Sequence, residues 1–304
     1  MEKTNCSYYL LLCIMHCALC LFLTACSLTP NLDLVGMFYG QSPRSNQRFT
    51  ESMEINTANG EYTTLNVSAD EYKVYVATDM HIDSTWLNTL LWAKIAQADA
   101  ECPFALVLGD VINAQGNYPH FIEAMKPLTK PWFCTAGNHD TYFGQWQEYK
   151  QYIGSSTYYF VVQTPSARDL YICLDTSDGT LGTKQLRWLR TLLEQKQQEG
   201  YRHTVVFTHT HMFKRDGSQE HTSNFAMEET YEITDLLSRY EVDWYLSGHD
   251  HHREITDYKG VKYIIVDALQ DPEAKPAFLI ATVGNKLQYQ FVNLTDYRPV
   301  SITN

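Results

Sequence analysis

Five short clusters of histidine, aspartate and asparagine lie in the central part of the chain, and these side chains are the ones that bind transition-metal ions. Imidazole nitrogens with carboxylate and amide oxygens suit Mn, Fe, Zn or Ni, and the absence of thiolate among them argues against a structural zinc site. In chain order the clusters are Asp79-Met80-His81, Gly109-Asp110, Gly137-Asn138-His139-Asp140, His209, and Gly248-His249-Asp250-His251.

Each cluster directly follows an apolar run that predicts a β-strand. These runs cover 72–77, 104–108, 132–135, 204–208 and 243–247, and helical spacing of apolar residues is found over 84–98, 117–126 and 183–198. Strands that alternate with helices indicate parallel βαβ units. Because ligand sites in such sheets form beyond the carboxyl ends of the strands, we expect these side chains to converge although they are distant in sequence.

The remainder of the chain divides into three predicted regions. Further strands are expected over 158–163, 169–175, 262–266, 277–282 and 288–292, so that residues 71–304 form one domain. Residues 26–70 are polar and contain Pro30, Pro43 and an Asn59-Gly60 turn signal. This composition predicts a linker followed by an extended or hairpin segment. Residues 1–25 are expected to be a signal peptide.

The five clusters resemble the calcineurin-like metallophosphoesterase superfamily, whose motifs run D-x-H, GD, GNH[DE], H and GHxH in this order. The resemblance covers about residues 71–267 and includes all five motifs. It implies a four-layer α-β-β-α sandwich, in which two mixed sheets are flanked by helices. It also implies a hydrolase that cleaves a phosphoric ester with a hydroxide activated by two metal ions.

Carried over residue by residue, the resemblance implies two ions of Mn, Fe or Zn that share Asp110. One ion would be held by Asp79, His81, Asp110 and His251, and the other by Asp110, Asn138, His209 and His249. His139 would face the substrate and would not bind metal. Asp140 is a candidate to orient His139 for catalysis, with a turn or supporting role as the alternative.

Two positions leave alternatives open. His209 and His211 both follow the same strand; we choose His209 as the ligand because it comes first, and predict that His211 binds substrate or is simply exposed. Asn113 stands where protein Ser/Thr phosphatases continue with Asp-Arg-Gly and where purple acid phosphatases place a tyrosine ligand. This departure disfavours both branches, and Asn113 is predicted to assist substrate binding or to be an ordinary loop residue.

The formal net charge of −12 disfavours nucleic acid as a partner, since an acidic surface repels phosphate backbones and no Lys/Arg run offsets it. Asp79 and Asp110 alone would also repel a phosphoester. Two divalent ions would reverse the local charge. The predicted substrate is therefore a small phosphomonoester or phosphodiester, bound only when metal is present.

The amino-terminal segment predicts export and lipid attachment. An apolar run over 8–23 is short for a membrane span and matches the central region of a secretory signal. Leu23-Thr24-Ala25-Cys26 resembles the bacterial lipoprotein signal, with Cys26 as the lipidated residue. A plain signal peptide or an uncleaved anchor is the alternative. The lipoprotein interpretation places the catalytic domain in the bacterial cell envelope, outside the cytoplasm and tethered to a membrane.

The cysteines that follow Cys26 do not indicate a disulfide framework. Cys102, Cys134 and Cys173 are scattered, odd in number and without CxxC spacing, so they are expected to be buried small hydrophobic residues. The alternative function is a weakly active or inactive metal-binding lipoprotein that uses the scaffold to bind a ligand. The complete ligand set disfavours this alternative.

Overall fold

The computed structural model describes residues 43–60, 63–271 and 275–297. Seven α-helices are described within these ranges, with three short 3₁₀ segments: α1 Ser45–Asn59, α2 Leu87–Ala98, α3 Tyr118–Met125, α4 Asn138–Thr141, α5 Trp146–Tyr152, α6 Gly182–Lys196 and α7 Met227–Arg239. The strands are β1 Thr63–Asn66, β2 Tyr72–Ala77, β3 Phe104–Val107, β4 Trp132–Cys134, β5 Tyr158–Gln163, β6 Arg168–Cys173, β7 His203–Phe207, β8 Trp244–Ser247, β9 Glu254–Tyr258, β10 Val261–Ile265, β11 Ala277–Val283 and β12 Leu287–Asn293.

The strands form two mixed sheets. The first has the order β1-β5-β6-β7-β8-β10-β9 and the second has the order β12-β11-β2-β3-β4. The run β6-β7-β8-β10 is parallel, and so is the run β2-β3-β4, while β5-β6, β10-β9, β11-β2 and β11-β12 are antiparallel. The parallel runs confirm the predicted βαβ units.

Side chains alternate between the two faces of the central strands, and both faces are buried. From β2, Val74 and Val76 enter the core between the two sheets, while Tyr75 and Ala77 pack under α2 and α3. From β6, Ile172 packs under α6 and α7. Strands buried on both faces require helices outside each sheet. The predicted four-layer α-β-β-α sandwich is confirmed.

The prediction for residues 26–70 is wrong over part of its length. Ser45–Asn59 is an α-helix that packs against α6 and β5, whereas we expected a linker and an extended or hairpin segment. Gly60, with a φ of 85°, ends this helix in a left-handed conformation. In the described part of this region, the strand is β1, which pairs in parallel with β5 and not in a hairpin. The helix lacks an apolar stripe because its buried residues are Ser45, Arg48 and Ser52.

Three further features of the fold bear on the sequence predictions. Cys102, Cys134 and Cys173 are free and buried, as expected. Cys26 and the predicted signal peptide lie outside the described residues. Within the described ranges, no helix combines the length and apolar character needed to cross a membrane.

Candidate metal centre

The carboxyl ends of five strands bring the predicted clusters to one edge of the two sheets. Asp79 and His81 follow β2, Asp110 follows β3, and Asn138 follows β4. His209 follows β7 in the other sheet, and the histidines His249 and His251 follow β8. The structure therefore places all seven predicted ligands together. Four of these ligands are buried, namely Asp79, His81, Asp110 and His209.

Three of these side chains form the first half of the site. The Nε2 atoms of His81 and His251 are 3.2 Å apart. The Oδ1 atom of Asp79 lies 3.3 Å from His251 Nε2 and 3.7 Å from His81 Nε2. Three electron-pair donors thus point at one small volume, which is the arrangement that a cation requires.

The second half of the site is formed by Asn138, His209 and His249. The Oδ1 atom of Asn138 lies 2.9 Å from His249 Nδ1 and 3.2 Å from His209 Nε2. The two imidazole nitrogens are also 3.2 Å apart. The Nδ1 atom of His209 lies 2.8 Å from the carbonyl oxygen of Leu108, and a hydrogen bond to that carbonyl leaves Nε2 free to bind a metal.

Asp110 lies between the two halves. Its Oδ2 atom is 3.3 Å from His209 Nε2 and 3.7 Å from His81 Nε2, so one oxygen faces both sets of ligands. Its other oxygen, Oδ1, accepts a hydrogen bond of 2.8 Å from the backbone N–H of His139. This geometry is that of a carboxylate able to bridge two ions.

Asp79 uses its two oxygens in the same way. Oδ2 accepts hydrogen bonds from Thr78 Oγ1 at 2.8 Å and from the backbone N–H of His249 at 2.9 Å. Oδ1 is buried and has no hydrogen-bond partner, although the Nε2 atoms of His251 and His81 lie 3.3 and 3.7 Å from it. A buried carboxylate oxygen without a partner is costly. A metal ion at this position would satisfy it.

The backbone at the site adopts an unusual conformation. Five of the seven predicted ligands have positive φ angles, namely Asp79 at 49°, His81 at 42°, Asp110 at 51°, His249 at 73° and His251 at 64°. Non-glycine residues adopt this region at a cost, and such residues cluster at functional sites. The surrounding fold therefore holds the ligand loops in a conformation that they would not adopt alone.

The carboxylates of the site change the pKa values of the neighbouring imidazoles. Burial lowers the pKa of the His209 imidazole, but Asp110 and Asp79 more than reverse this and raise it to about 10. Its contact with Asp79 raises the pKa of His251. Burial and the neighbouring His209 lower the pKa of His249 to about 4. The site accordingly attracts positive charge, and metal ions must displace protons to enter it.

The geometry of the site favours His209 over His211 as the ligand. His209 contributes Nε2 to the site, whereas the candidate metal-binding groups among the described residues do not include His211. The His211 side chain is buried, its ring centroid lies 5.7 Å from that of His249, and its Nδ1 has no hydrogen-bond partner. Binding of substrate by His211 stays a prediction.

The contacts of Asp140 favour the supporting role that was given as its alternative. Its carboxylate accepts hydrogen bonds from the backbone N–H groups of Asp110 and Gly137, both at 2.8 Å, from that of Val111 at 3.2 Å, and from the Tyr118 hydroxyl at 3.2 Å. The described contacts of Asp140 do not include the His139 imidazole. Asp140 therefore positions the Asp110 loop, and a role in orienting His139 stays a prediction.

His139 and Asn113 lie at the opening of the site. An imidazole nitrogen of His139 is within 4.8 Å of ligand atoms of His81 and Asp110. The pKa of His139 is lowered by burial, while Asp110 and a hydrogen bond to the Asn113 backbone act in the opposite direction. Asn113 is exposed, and its backbone N–H donates to the carbonyl of Ile82 at 3.0 Å. Substrate contact by the Asn113 side chain stays a prediction.

Comparison with known proteins gives matches in sequence family and in fold. A model of the calcineurin-like phosphoesterase family matches residues 72–253. The comparison with curated proteins found no match. Among solved structures, a dimetal phosphatase from Danio rerio is 13% identical, with 73% of this chain and 96% of that chain covered and a TM-score of 0.57.

Two other solved structures share the fold at similar levels. GAP50, described as the anchor in the inner membrane complex of Plasmodium, is 14% identical, covers 74% of this chain and 85% of its own, and has a TM-score of 0.58. A purple acid phosphatase from yellow lupin is 15% identical with a TM-score of 0.57. The match covers 75% of this chain and 52% of the lupin chain. At these identities the likeness is one of fold.

Proposed function

Because the chain belongs to the calcineurin-like phosphoesterase family and is a hydrolase of phosphoric esters, we propose that it cleaves a small phosphomonoester or phosphodiester at a centre of two divalent metal ions. The observation that carries this proposal is the position of Asp110 Oδ2, which faces His81 in one half of the site and His209 in the other. The donor set contains imidazole, carboxylate and amide groups without thiolate, which suits Mn, Fe or Zn.

The charge around the site supports a small substrate. The protein carries a formal net charge of −12, and the acidic residues Asp83 and Asp250 flank the ligands His81 and His249. A long polyanion would meet repulsion over much of its length. A single phosphoryl group reaching the metal centre would meet mainly the local positive charge.

The proposed mechanism assigns separate tasks to the ions and to the protein. The two sets of ligands that share Asp110 would hold two divalent ions, which would lower the pKa of a bound water and neutralise charge on the phosphoryl oxygens. Asp110 and Asp79 would each bind metal through one carboxylate oxygen. Their other oxygens accept hydrogen bonds from the backbone N–H groups of His139 and His249, which fixes the orientation of the two carboxylates. His139 lies beside both sets of ligands, and burial lowers the pKa of its ring; its task in this proposal is to donate an N–H to an oxygen of the substrate.

Replacing His139 by alanine is expected to leave metal content unchanged and to lower kcat by about a hundredfold, the range of a lost proton donor or hydrogen-bond donor. The measurement compares metal stoichiometry and kcat for 4-nitrophenyl phosphate in the wild type and the variant. His252→Ala removes an exposed imidazole from the neighbouring loop and serves as the control, with kcat unchanged. Loss of a metal ion from His139→Ala would show that His139 is a ligand.

We further propose that the chain is a lipoprotein of the bacterial cell envelope, attached to a membrane through Cys26. Support comes from Leu23-Thr24-Ala25-Cys26 after the apolar run over 8–23. Cys26→Ser is expected to abolish incorporation of labelled palmitate in bacteria that express the protein. Unchanged labelling would contradict the lipoprotein assignment.

A further inference from the structure

A fully buried arginine connects α1 to the domain. The side chain of Arg48 is 0% exposed. Its guanidinium donates to both oxygens of Asp175, at 2.9 and 3.1 Å, to Asp178 at 2.9 Å, to Ser177 at 2.7 Å and to the carbonyl of Pro43 at 2.6 Å. A buried charge is tolerated only with such complete pairing. Arg48 therefore fixes the loop over 175–178 to α1.

The loop held by Arg48 in turn holds the ligand His209. Thr176 lies next to Asp175, and its hydroxyl is 2.7 Å from the hydroxyl of Thr208 and accepts the backbone N–H of Thr210 at 2.8 Å. The Thr210 hydroxyl donates to the carbonyl of Thr176 at 2.7 Å. Thr176 thus contacts the residues on both sides of His209.

A second contact of α1 reaches the segment that carries Asn138 and His139. Glu51, one turn from Arg48, accepts hydrogen bonds from Trp146 Nε1 at 2.7 Å and from Lys150. Trp146 and Lys150 belong to α5, which follows α4 and a short 3₁₀ turn. Helix α1 therefore contacts two segments that lead to ligands of the same half of the site.

The described contacts of α1 do not include the loops that carry Asp79, His81 and His251. Helix α1 also precedes residue 72, where the match to the family model begins. We propose that α1 is a positioning element for the half of the site formed by Asn138, His209 and His249, with Arg48 acting through Thr176. This inference rests on the proposed two-metal function.

The experiment measures Mn²⁺ binding to the metal-free full-length protein by calorimetry, with kcat recorded at limiting and at excess Mn²⁺. Arg48→Lys keeps the charge but cannot pair with both oxygens of Asp175. It is expected to lower the Mn²⁺ affinity of one binding step by about tenfold, which is the usual loss when a residue that supports a metal ligand is replaced. The other step should be unchanged. Excess Mn²⁺ should restore kcat, which a general loss of folding would prevent.

Two sets of variants make the result specific. Asn138→Ala should abolish the same step that Arg48→Lys weakens, whereas His251→Ala should abolish the other step. Arg202→Lys is the matched control. Arg202, just before β7, likewise forms a bidentate ion pair with a buried aspartate, Asp169, at 3.0 and 2.6 Å. Arg202→Lys should lose thermal stability without weakening either step.

Thr176 provides a test that does not depend on the folding of an Arg48 variant. Thr176→Val removes the hydroxyl at nearly constant shape and should weaken the same step, while Thr176→Ser should bind Mn²⁺ as the wild type does. Equal weakening of both steps, or none, in Arg48→Lys and Thr176→Val would overturn the inference. Failure of the wild type to bind two ions would instead overturn the proposed function.

Discussion

Replacing Asp110 by asparagine is expected to lower kcat/KM for phosphoesters by about a thousandfold or more and to lower the affinity for both metal ions. A bound metal contributes several kcal/mol to stabilising the transition state, and about 1.4 kcal/mol corresponds to a factor of ten in rate. Asparagine keeps the shape of aspartate but supplies only one oxygen. If that oxygen faces the metals, the amide N–H₂ meets the backbone N–H of His139, which now donates to Asp110 Oδ1 at 2.8 Å. If the amide is flipped, the N–H₂ group faces the metals.

The measurement for Asp110→Asn combines metal analysis of the purified chain with kcat/KM for a phosphomonoester and a phosphodiester. Asp250→Asn is the matched control, because Asp250 lies between His249 and His251 but points to Arg215 at 3.3 Å. It should keep both metals and most of the activity, since a partly exposed ion pair contributes little. Two tightly bound metals with full activity in Asp110→Asn would refute a bridging role for Asp110.

Adding a single methyl group at Gly137 is expected to lower metal affinity and kcat/KM by about a hundredfold. A Cβ atom at this position would lie 2.1 Å from Asp110 Oδ1 and 2.4 Å from the Asp110 backbone nitrogen. The φ of −96° and ψ of −178° at Gly137 are open to alanine, so the clash alone carries the effect. Overpacking of this kind costs about 1–3 kcal/mol. Here the added methyl group would push the Asp110 carboxylate away from its position between the two sets of ligands.

Gly284→Ala provides the comparison for Gly137→Ala. A Cβ atom at Gly284 would also be too close to a carboxylate, at 2.6 Å from Glu71 Oε2. Glu71 is exposed, however, and the end of its flexible side chain can move away. Calorimetric Mn²⁺ titration and kcat/KM should therefore be unchanged in Gly284→Ala. The same loss in both variants would show that the effect at Gly137 is not specific to Asp110.

The ligand set could be predicted because its residues lie in short motifs at strand ends. The run over 72–77 has the composition of a strand buried on both faces, and Asp79 and His81 follow it directly. Strand position predicted that residues as distant as Asp79 and His251 converge, and the resemblance to calcineurin-like phosphoesterases implied which of them are ligands. The choice of His209 over His211 followed from the same rule, since the first residue after a strand reaches the edge of the sheet.

Other parts of the site depend on contacts that leave no periodic signal. Helix α1 is held by Arg48, Glu51 and Ser52, so it lacks the apolar stripe by which an amphipathic helix is recognised. Asp140 follows His139 directly in the sequence, but its carboxylate accepts hydrogen bonds from backbone N–H groups of the Asp110 loop. Contacts to backbone groups leave no pattern of side chains in the sequence from which they could be predicted. The positive φ angles of Asp79 and Asp110 likewise result from the packing of neighbouring loops.

The most direct test of the two-metal account is a titration of the metal-free wild-type chain with Mn²⁺, in which calorimetric stoichiometry and phosphoesterase activity are recorded at each step. The arrangement of Asp110 between two sets of ligands predicts binding of two ions per chain. Hydrolysis of 4-nitrophenyl phosphate or bis(4-nitrophenyl) phosphate should rise steeply only as the second ion binds. Full activity with a single bound ion, or two bound ions without hydrolysis of either ester, would contradict it.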